Sequence, residues 1–398
     1  MHPNIEQLYA IANKNQRTIL GLMSGTSMDG LDIALCRISG AGVTTQVQLL
    51  HFITLPYNPS FKEKLVPIFS KKIVSLEQVC VMHPWIALEH AKMIQEAFKQ
   101  WKVNKDQVDL IASHGQTIYH APKSLHPYDD FGSATMQIGD GDHLAVATGM
   151  ITLSDFRQKH IAAGGEGAPL SLYGDYLLCA SPTENRVLLN IGGISNFTYL
   201  PAGCKISETL SSDTGPGNTL MDQYVRKFFV GKSYDENGEI AQQGKVNTDL
   251  LQSLLSHPFF DLSLPKTIGP ELFNLEYIIA AQMALGKTMS DEDVLATLNR
   301  FTAESIVKGL RAQLSDSDTY TIYMSGGGMH NPVLMKNLRE LLPHIKIQTS
   351  EAIGILPDAK EAILFALLAN EAVAGSAMDA GPQFTKQPTT MGKISFPN

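Results

Sequence analysis

Apolar residues in the first part of the chain form short runs separated by polar, glycine-containing segments. Thr18 to Met23 has the pattern of a buried strand, Leu31 to Ile38 alternates large and small residues, and Thr44 to Leu55 forms a third run. Short apolar runs that are bounded by turn residues predict strands. We therefore expect the chain to open with an antiparallel meander whose first turn is polar and rich in glycine.

A similar arrangement recurs in the second half of the chain. The strand-like runs Arg186 to Ile191 and Ile194 to Leu200 are separated by two glycines. In each half the predicted hairpin is followed, after a helical stretch, by an apolar run that ends in small residues, namely Val108 to Gly115 and Tyr320 to Gly328. Two halves with the same order of elements indicate an α/β fold that has been duplicated.

Helices are easiest to place late in the chain. Ser290 to Asp293 resembles an N-terminal capping box, and the apolar positions that follow recur on one helical face. Another helix is predicted from Ala359 to Val373, with Gly375 ending it. A third is expected to open at Pro84 and to carry His83 and His90 on one face, and we interpret these histidines as packed or solvated.

Length and loop composition suggest two domains. A chain of 398 residues exceeds the size of a single hydrophobic core. The stretch Val146 to Leu153 is apolar and strand-like, and three glycines and a proline between Ala162 and Pro169 indicate a loop. We place the crossing near this loop, which predicts an N-terminal domain over 1–155 and a C-terminal domain over 156–374. The tail, about 375–398, lacks periodicity and is expected to pack back on the first domain as an irregular segment.

Composition narrows the possible partners. The formal net charge is -8, so the chain lacks the basic stripe that neutralises nucleic-acid phosphates. The 4 cysteines are far apart in sequence and form no CxxC pair, which indicates neither a zinc cage nor a disulfide framework. Polar residues occur throughout the first sixteen positions, which therefore lack the uninterrupted apolar core of a secretion signal, and no long apolar stretch could span a bilayer. We expect a cytoplasmic protein that binds neither nucleic acid nor membrane.

The polar turn between the first two predicted strands is a candidate phosphate-binding segment. Glycines let the main chain approach a phosphate closely, and small hydroxyl residues add hydrogen-bond donors. Asp29 or Asp32 could hold Mg²⁺, which prefers oxygen ligands. An ordinary hairpin turn favours the same residue types, so this alternative stays open. The candidate residues are Gly25, Thr26, Ser27, Met28, Asp29, Gly30, Leu31 and Asp32.

The second half offers comparable turns. Asp213 lies in a loop of tight-turn residues and is a further candidate metal ligand, and two such turns could clamp the phosphates of ATP together with a metal ion. Consecutive glycines after the strand at Tyr320 would let a flat adenine or ribose lie against the backbone. A simple strand-to-helix turn explains them equally well. The candidate nucleotide-binding residues here are Gly192, Gly193, Asp213, Gly215, Gly217, Asn218, Gly326, Gly327 and Gly328.

Asp155 is the candidate acid–base residue. It follows an apolar, strand-like run and precedes the glycine-rich loop, so its carboxylate could take a proton from a hydroxyl or from water. Arg157 could pair with it or bind an anionic substrate. A surface contact between Asp155 and Arg157 is the alternative. Another strand end, where ligand sites of α/β sheets gather, offers hydrogen-bonding groups for a sugar on Ser113, His114, Gln116 and Thr117.

Taken together, these motifs resemble the family of anhydro-N-acetylmuramic acid kinases. The motifs occur in the expected order from about residue 18 to 370. They are the segments Gly21 to Asp32, Ser113 to Thr117, Asp155 to Arg157, Ala162 to Leu170, Asn190 to Asn196, Asp213 to Asn218 and Ser325 to Asn331.

The resemblance implies the fold of actin, Hsp70 and the sugar kinases, a ribonuclease H-like fold with a central ATP cleft. It also implies hydrolytic opening of the 1,6-anhydro ring of anhydro-N-acetylmuramic acid, coupled to ATP-dependent phosphorylation at O6, during recycling of cell-wall peptidoglycan. By motif, Gly25 to Asp32 correspond to the ATP-binding segment, Asp155 to the general base, and Gly165 belongs to the sugar site. A homodimer is implied as well.

Two other functions stay open at this point. A kinase of another sugar on the same fold would keep the nucleotide motifs and change the regions around His114 and Asp155. A non-catalytic, ATP-responsive module of the actin-like type would not need Asp155, and the presence of this aspartate disfavours that function.

Overall fold

The computed structural model describes residues 1–25, 28–123, 126–168, 170–268, 272–315, 318–381 and 384–398. The chain divides into two units. Unit 1 contains 1–180, 205–208 and 358–398, and unit 2 contains 181–204 and 209–357. Each unit combines helices with a β-sheet, which confirms the predicted α/β class.

Unit 1 contains a mixed sheet and helices from both ends of the chain. Its strands are β1 (Gln16–Ser24), β2 (Gly30–Ser39), β3 (Gln46–Pro56), β4 (Leu110–Ala121), β5 (Ala134–Ile138), β6 (Thr152–Ser154) and β12 (Lys393–Ser395). Its helices are α1 (Pro3–Ala12), α2 (Pro59–Leu65), α3 (Leu76–Trp101), α4 (Gly141–Thr148), α5 (Phe156–Ala162), α6 (Ser171–Cys179) and α12 (Lys360–Ala374).

Unit 2 contains the second sheet and the remaining helices. Its strands are β7 (Arg186–Ile191), β8 (Ile194–Leu200), β9 (Leu210–Pro216), β10 (Thr321–Ser325) and β11 (Lys346–Thr349). Its helices are α7 (Thr219–Phe228), α8 (Thr248–Leu255), α9 (Leu275–Leu285), α10 (Asp291–Arg311) and α11 (Pro332–Leu341).

The two sheets share one topology. Unit 1 has the order β12-β6-β4-β1-β2-β3, and unit 2 has the order β11-β10-β7-β8-β9. In unit 1 the strands β1, β2 and β3 form an antiparallel meander, and β4 and β6 continue the sheet in parallel with β1. In unit 2 the strands β7, β8 and β9 form the meander, and β10 and β11 continue in parallel. The predicted duplication is confirmed at the level of topology.

Helices cover both faces of the unit 1 sheet. Leu20 and Leu22 of β1 belong to a core that also contains the buried face of α3. Gly21, between them, points to the opposite face, because successive strand residues alternate. A side chain at Gly21 would overlap the carbonyl of Ala362, so this glycine lets α12 approach the backbone of β1.

Helix α10 supports most of unit 2. Its C-terminal half packs with β7 and β10 in one core, and its N-terminal half packs with α7, α8 and α9 in a second. The Ser290 side chain accepts a hydrogen bond from the backbone N–H of Asp293, as the capping box predicts. Pro332 stands in the first turn of α11, where its missing N–H costs nothing.

The limits of the two units differ from the predicted ones. The first crossing falls between Ala180 and Ser181 instead of near residue 155, and the chain returns to unit 1 at Asp358 instead of after residue 374. The reason is the contact between α6 and α12, where Lys360 forms an ion pair with Asp175 at 2.6 Å. Both helices therefore pack in unit 1.

Three local predictions were wrong. The helix expected to open at Pro84 begins eight residues earlier at Leu76, with the Ser75 side chain as its cap, and Pro84 lies in its interior. The apolar stretch from Val146 to Leu153 is not a single strand, because it begins as the end of helix α4, whose cap Gly149 is left-handed, and only its last two residues belong to the short strand β6. The tail is not irregular throughout, because β12 pairs with β6.

Within the part of the chain that the structure describes, no helix combines the length and the apolar character that crossing a bilayer requires.

Candidate active site

Asp155 lies at the end of β6, directly before α5, as the sequence predicted for a strand end. Its backbone has φ 56° and ψ 45°, the left-handed region that residues other than glycine seldom adopt. Lys393 of β12 forms an ion pair with its carboxylate. Strained backbone of this kind concentrates at functional sites, so the conformation supports a functional role for Asp155.

Asp155 lines a cavity of about 480 Å³ in unit 1. Gln137, another lining residue, donates from its amide nitrogen to Thr117 at 3.1 Å and to Thr135 at 2.9 Å. Its Oε1 is buried and has no partner among the described residues, which leaves an acceptor for a hydroxyl or amide hydrogen. The other polar or charged residues of this wall are His83, His114, Thr135, Asp140, Asp142, Ser154, Gln158, Lys393 and Ser395.

His114 and Arg157 form a buried pair beside this cavity. Nδ1 of His114 lies 3.0 Å from the Gly115 carbonyl, so it carries the hydrogen, and Nε2 accepts from Nε of Arg157 at 2.9 Å. Burial and the neighbouring guanidinium lower the pKa of His114 to about 3. A second nitrogen of Arg157 donates to the Gly167 carbonyl at 2.7 Å. His114 and Gly167 thus hold the side chain of Arg157, and the ion pair between Asp155 and Arg157 that the sequence left open is not formed.

Other predicted sugar-binding residues are equally well packed. The hydroxyl of Ser113 is buried and has no partner among the described residues. Gln116 is fully buried and donates to the carbonyls of Gly25 and Thr117, each at 3.1 Å. A side chain at Gly165 would overlap the ring of His160, so tight packing is sufficient to explain this glycine.

The turn between β1 and β2 contains the predicted phosphate-binding segment. Thr26 and Ser27 lie outside the described residues. Met28 adopts a φ of 54° and Asp29 is exposed, whereas Leu31 is part of the core. A side chain at Gly30 would overlap the Leu55 carbonyl of the neighbouring strand.

Asp32 faces other carboxylates from its place on β2. Burial raises the pKa of Asp32, the hydroxyl of Thr54 donates to it at 2.6 Å and opposes that shift, and the charges of Asp29 and Asp358 raise it further. Carboxylates that repel one another in this way gain from a bound cation.

No group of three or more His, Cys, Asp or Glu side chains converges on a metal position in the described ranges. Mg²⁺ usually binds through one or two carboxylates and keeps several waters. The oxygen donors of Asp29 and Asp32 fit this mode of binding.

In unit 2, the predicted glycine turns form one hydrogen-bonded loop cluster. The backbone N–H of Gly217 donates to the Gly193 carbonyl at 2.8 Å, and that of Asn218 donates to the Gly192 carbonyl at 2.8 Å. A side chain at Gly217 would overlap Gly192, whereas at Gly193 the nearest atom would be 3.9 Å away. The motif at Gly192 and Gly193 therefore contacts the motif at Gly217 and Asn218, although the two are more than twenty residues apart in sequence.

Asp213 lies on β9 next to this loop cluster. Its Oδ2 accepts a hydrogen bond from the backbone N–H of Ile268 at 2.8 Å. Burial raises its pKa, and the hydrogen bond from Ile268 opposes that shift. Gly215, further along β9, has a φ of 150° and packs near Phe260 and Ser305.

The three glycines after β10 differ in how much room the structure leaves for a side chain. Gly326 has a φ of 85°, and an added Cβ would lie 2.6 Å from the Ile191 carbonyl. At Gly328 a side chain would overlap that of Ile191. Gly327 has more room, since the nearest atom to an added Cβ is Nδ2 of Asn218 at 3.7 Å.

Gly327 and Asn218 line a cavity of about 420 Å³ in unit 2, within the size range of small-molecule sites. Its acidic wall includes Asp222, whose pKa is raised by burial, and Asp235, which accepts two backbone hydrogen bonds. The remaining lining residues are Met221, Tyr234, Glu236, Asn237, His330 and Asn331.

Sequence reasoning missed three of the residues above. Lys393 contacts Asp155 from 238 positions away, and neither Gln137 nor Asp222 belongs to a glycine-containing motif. A search for polar residues in the first turn of the helix after the Asp213 motif would have found Asp222. No local pattern marks Lys393 or Gln137.

The two sheets of like topology, with glycine-containing turns after β1, β7 and β10, define a duplicated α/β protein. The family model described as anhydro-N-acetylmuramic acid kinase matches residues 17–395. The chain belongs to the family of anhydro-N-acetylmuramic acid kinases.

Curated relatives agree over their whole length. The chain is 51% identical to the anhydro-N-acetylmuramic acid kinase of Pseudoalteromonas atlantica, with 100% of both chains covered. It is 38% identical to that of Caldanaerobacter subterraneus subsp. tengcongensis, with 98% of this chain and 100% of the relative covered. Among solved structures, hexokinase from Schistosoma mansoni complexed with glucose matches at 9% identity and a TM-score of 0.40, covering 90% of this chain and 86% of that one.

Proposed function

We propose that this protein is an ATP-dependent kinase that opens the 1,6-anhydro ring of anhydro-N-acetylmuramic acid and phosphorylates O6, giving N-acetylmuramic acid 6-phosphate and ADP. The observation that carries the proposal is membership of the family over residues 17–395. A carboxylate with strained backbone at the wall of a cavity of about 480 Å³ supports it. The role in peptidoglycan recycling follows from the substrate.

The chemistry requires one base. Asp155 takes a proton from water as the water oxygen forms a bond to the anomeric carbon, and the bond from that carbon to O6 breaks. O6 then forms a bond to the γ-phosphorus, and the bond between this phosphorus and the β–γ bridging oxygen breaks, which releases ADP. Asp155 then releases its proton to solvent, and the sugar has gained a hydroxyl at the anomeric carbon and a phosphoryl group on O6.

Asp213 is a second candidate for the base, and a specific observation favours it. Burial raises its pKa, which is the direction expected of a carboxylate that must accept a proton near neutral pH. Asp155 differs because Lys393 occupies one of its oxygens. Isosteric substitution of each aspartate separates the two assignments.

For the nucleotide, we propose for each unit by itself that the turn from Gly25 to Asp32 of unit 1 can bind phosphate oxygens and that the cavity of unit 2 can hold a nucleoside. Three features support the second part: the cavity's volume, the room beside Gly327 and the carboxylate of Asp222, which can accept a ribose hydroxyl. We propose that Mg²⁺ is held by Asp29 or Asp32, or by Asp213, together with water, and that it neutralises phosphate charge.

The test of the base uses Asp155→Asn and Asp213→Asn, with exposed Asp106→Asn as the matched control. Loss of a general base should lower kcat by roughly 10² to 10⁴ while the Kd values for ATP and sugar, measured by calorimetry, stay within about threefold. Lys393→Gln breaks the same ion pair and keeps the carboxylate, so a similar loss in that variant would assign the effect to positioning. If Asp155→Asn retains full turnover, and Asp213→Asn loses it while its Kd for ATP and its Mg²⁺ requirement stay unchanged, Asp213 is the base.

The test of the reaction is incubation with ATP, Mg²⁺ and a panel of anhydro and ordinary amino sugars, followed by mass spectrometry. A product heavier than the anhydro sugar by water and a phosphoryl group supports the proposal. A phosphoryl group alone, on an ordinary sugar, would show a conventional kinase of another sugar instead.

Two further proposals concern assembly and location; the first rests on the family resemblance and the second on the composition of the chain. We propose a homodimer, which light scattering coupled to gel filtration would test. We also propose a cytoplasmic location, which fractionation of the producing cells would test.

A further inference from the structure

Four buried side chains form a continuous hydrogen-bonded chain beneath the turn that follows β1. They are Ser24, Tyr57, His90 and Gln116, with exposed fractions of 1%, 5%, 1% and 0%. The hydroxyl of Tyr57 lies 2.6 Å from that of Ser24 and 2.9 Å from Nε2 of His90, and the hydroxyl of Ser24 donates to Gln116. Different elements supply these residues, so the chain exists only in the folded unit.

The direction of every hydrogen in this chain follows from the carbonyls at its end. Gln116 lies within 3.1 Å of the Gly25 and Thr117 carbonyls, so its amide nitrogen faces both and its Oε1 only accepts. Ser24 uses its hydrogen on that Oε1 and accepts from Tyr57. The hydroxyl of Tyr57 in turn accepts from His90, which must carry its hydrogen on Nε2.

His90 is held in this one state. Its Nδ1 is buried without a partner among the described residues, and burial lowers its pKa to about 4. The ring therefore stays neutral near neutral pH and donates to Tyr57 from Nε2. Its neighbour Tyr57 stacks on Phe61, with ring centroids 3.8 Å apart, which limits movement of the phenol.

Residues of this hydrogen-bonded group bind both Gly25 and Asp29, which lie at the two ends of the turn after β1. The side chain of Gln116 binds the Gly25 carbonyl, and the backbone N–H of Tyr57 donates to the Asp29 carbonyl at 3.0 Å. Tyr57 thus contacts the segment at one end by its backbone and at the other through Ser24.

We propose that Tyr57 and His90 are positioning residues for the nucleotide: through Ser24 and Gln116 they hold the Gly25 carbonyl, and the backbone of Tyr57 holds that of Asp29, on the two sides of the predicted phosphate-binding turn. This inference rests on the proposed role of that segment in phosphate binding. Neither residue needs to touch a substrate, and their effect is to pre-organise backbone donors before the nucleotide arrives.

The test compares Tyr57→Phe with two variants of His90. Asn places its amide nitrogen near Nδ1 of the histidine, whereas Gln places it near Nε2. We expect Tyr57→Phe and His90→Asn to raise the KM for ATP about tenfold, the value of one hydrogen bond, with kcat and the KM for sugar within about twofold. His90→Gln should rescue the KM for ATP, and Tyr9→Phe, at an exposed tyrosine, should leave all constants unchanged.

Hydrogen–deuterium exchange distinguishes failure of the proposed phosphate site from failure of the proposed positioning role. If a non-hydrolysable ATP analogue fails to protect segment 24–30 in the wild-type protein, the proposed phosphate site fails. If the segment is protected but Tyr57→Phe and His90→Asn leave the KM for ATP unchanged, the positioning role is overturned. If both His90 variants lose stability equally and the KM for ATP does not change, the hydrogen-bonded side chains serve folding only, and the positioning role is likewise overturned.

Discussion

Mild acid should destabilise unit 1 through three buried histidines. His90, His114 and His160 are buried, with exposed fractions of 1%, 2% and 0%. Burial is the largest cause of their low pKa values, which are about 4, 3 and 4 against an ordinary value of 6.5. All three rings are therefore neutral in the folded protein at any pH above about 5.

The sign and size of the effect follow from proton binding. At pH values between the folded-state pKa values of about 3 to 4 and the ordinary value of 6.5, the unfolded protein binds more protons at these histidines than the folded protein does. The free energy of unfolding therefore decreases as the pH falls. Each histidine contributes up to about 1.4 kcal/mol per pH unit, and three histidines together give a loss of roughly 4 kcal/mol from pH 7 to pH 5.5. A loss of that size is a large fraction of the 5–15 kcal/mol typical of folded proteins. The raised pKa values of Asp32 and Glu361 act in the opposite direction at lower pH.

The assay is urea unfolding followed by tryptophan fluorescence at several pH values from 7.5 to about 5.5. The protein has 2 tryptophans, Trp85 and Trp101, and both lie on α3, so the signal reports unit 1. His90→Gln removes one titrating group and should reduce the pH dependence by about a third. A free energy of unfolding that is the same at pH 7 and pH 5.5 would refute the reasoning.

Glycine substitutions test the packing of the loops. Gly165→Ala should destabilise unit 1 by about 1–3 kcal/mol in urea unfolding, because the methyl group overlaps the His160 ring, whereas Gly132→Ala, in open space, should change stability by less than about 0.5 kcal/mol. Gly217→Ala should destabilise unit 2 in thermal unfolding through overlap with the β7–β8 turn. Gly193→Ala has room and should fold normally; if it unfolds as readily as Gly217→Ala, the packing argument fails.

The two hairpins and the helices with clear caps could be predicted because their signals are local. Short apolar runs and glycine turns predicted β1 with β2 and β7 with β8, and Ser290 predicted the start of α10. The start of α3 could not be predicted in the same way. Pro84 normally marks a helix start, and only the buried face from Val79 to Phe98 compensates for its place in the interior.

The candidate site was predicted in parts. The position of Asp155 at a strand end could be predicted from its neighbours in sequence, and in the structure Asp155 directly follows β6. The partner Lys393 is tertiary information, since it depends on the pairing of β12 with β6. The same holds for the hydrogen-bonded chain from His90 to Gln116, because no spacing in the sequence relates the elements that meet there. A packed or solvated histidine was expected at His90, and its hydrogen-bonding role depends on its neighbours in space.

The packing of the motif glycines divides them into two groups that the sequence cannot distinguish. Gly30, Gly165, Gly217, Gly326 and Gly328 have no room for a side chain, so close contact within the protein is sufficient to explain them. Gly192, Gly193 and Gly327 have room, with the nearest atoms 3.7 to 3.9 Å from an added Cβ. Contacts within the protein do not require glycine at these three positions, whereas the proposed approach of a nucleotide to the backbone would. Substitutions in this second group are therefore the ones that should affect nucleotide binding without affecting stability.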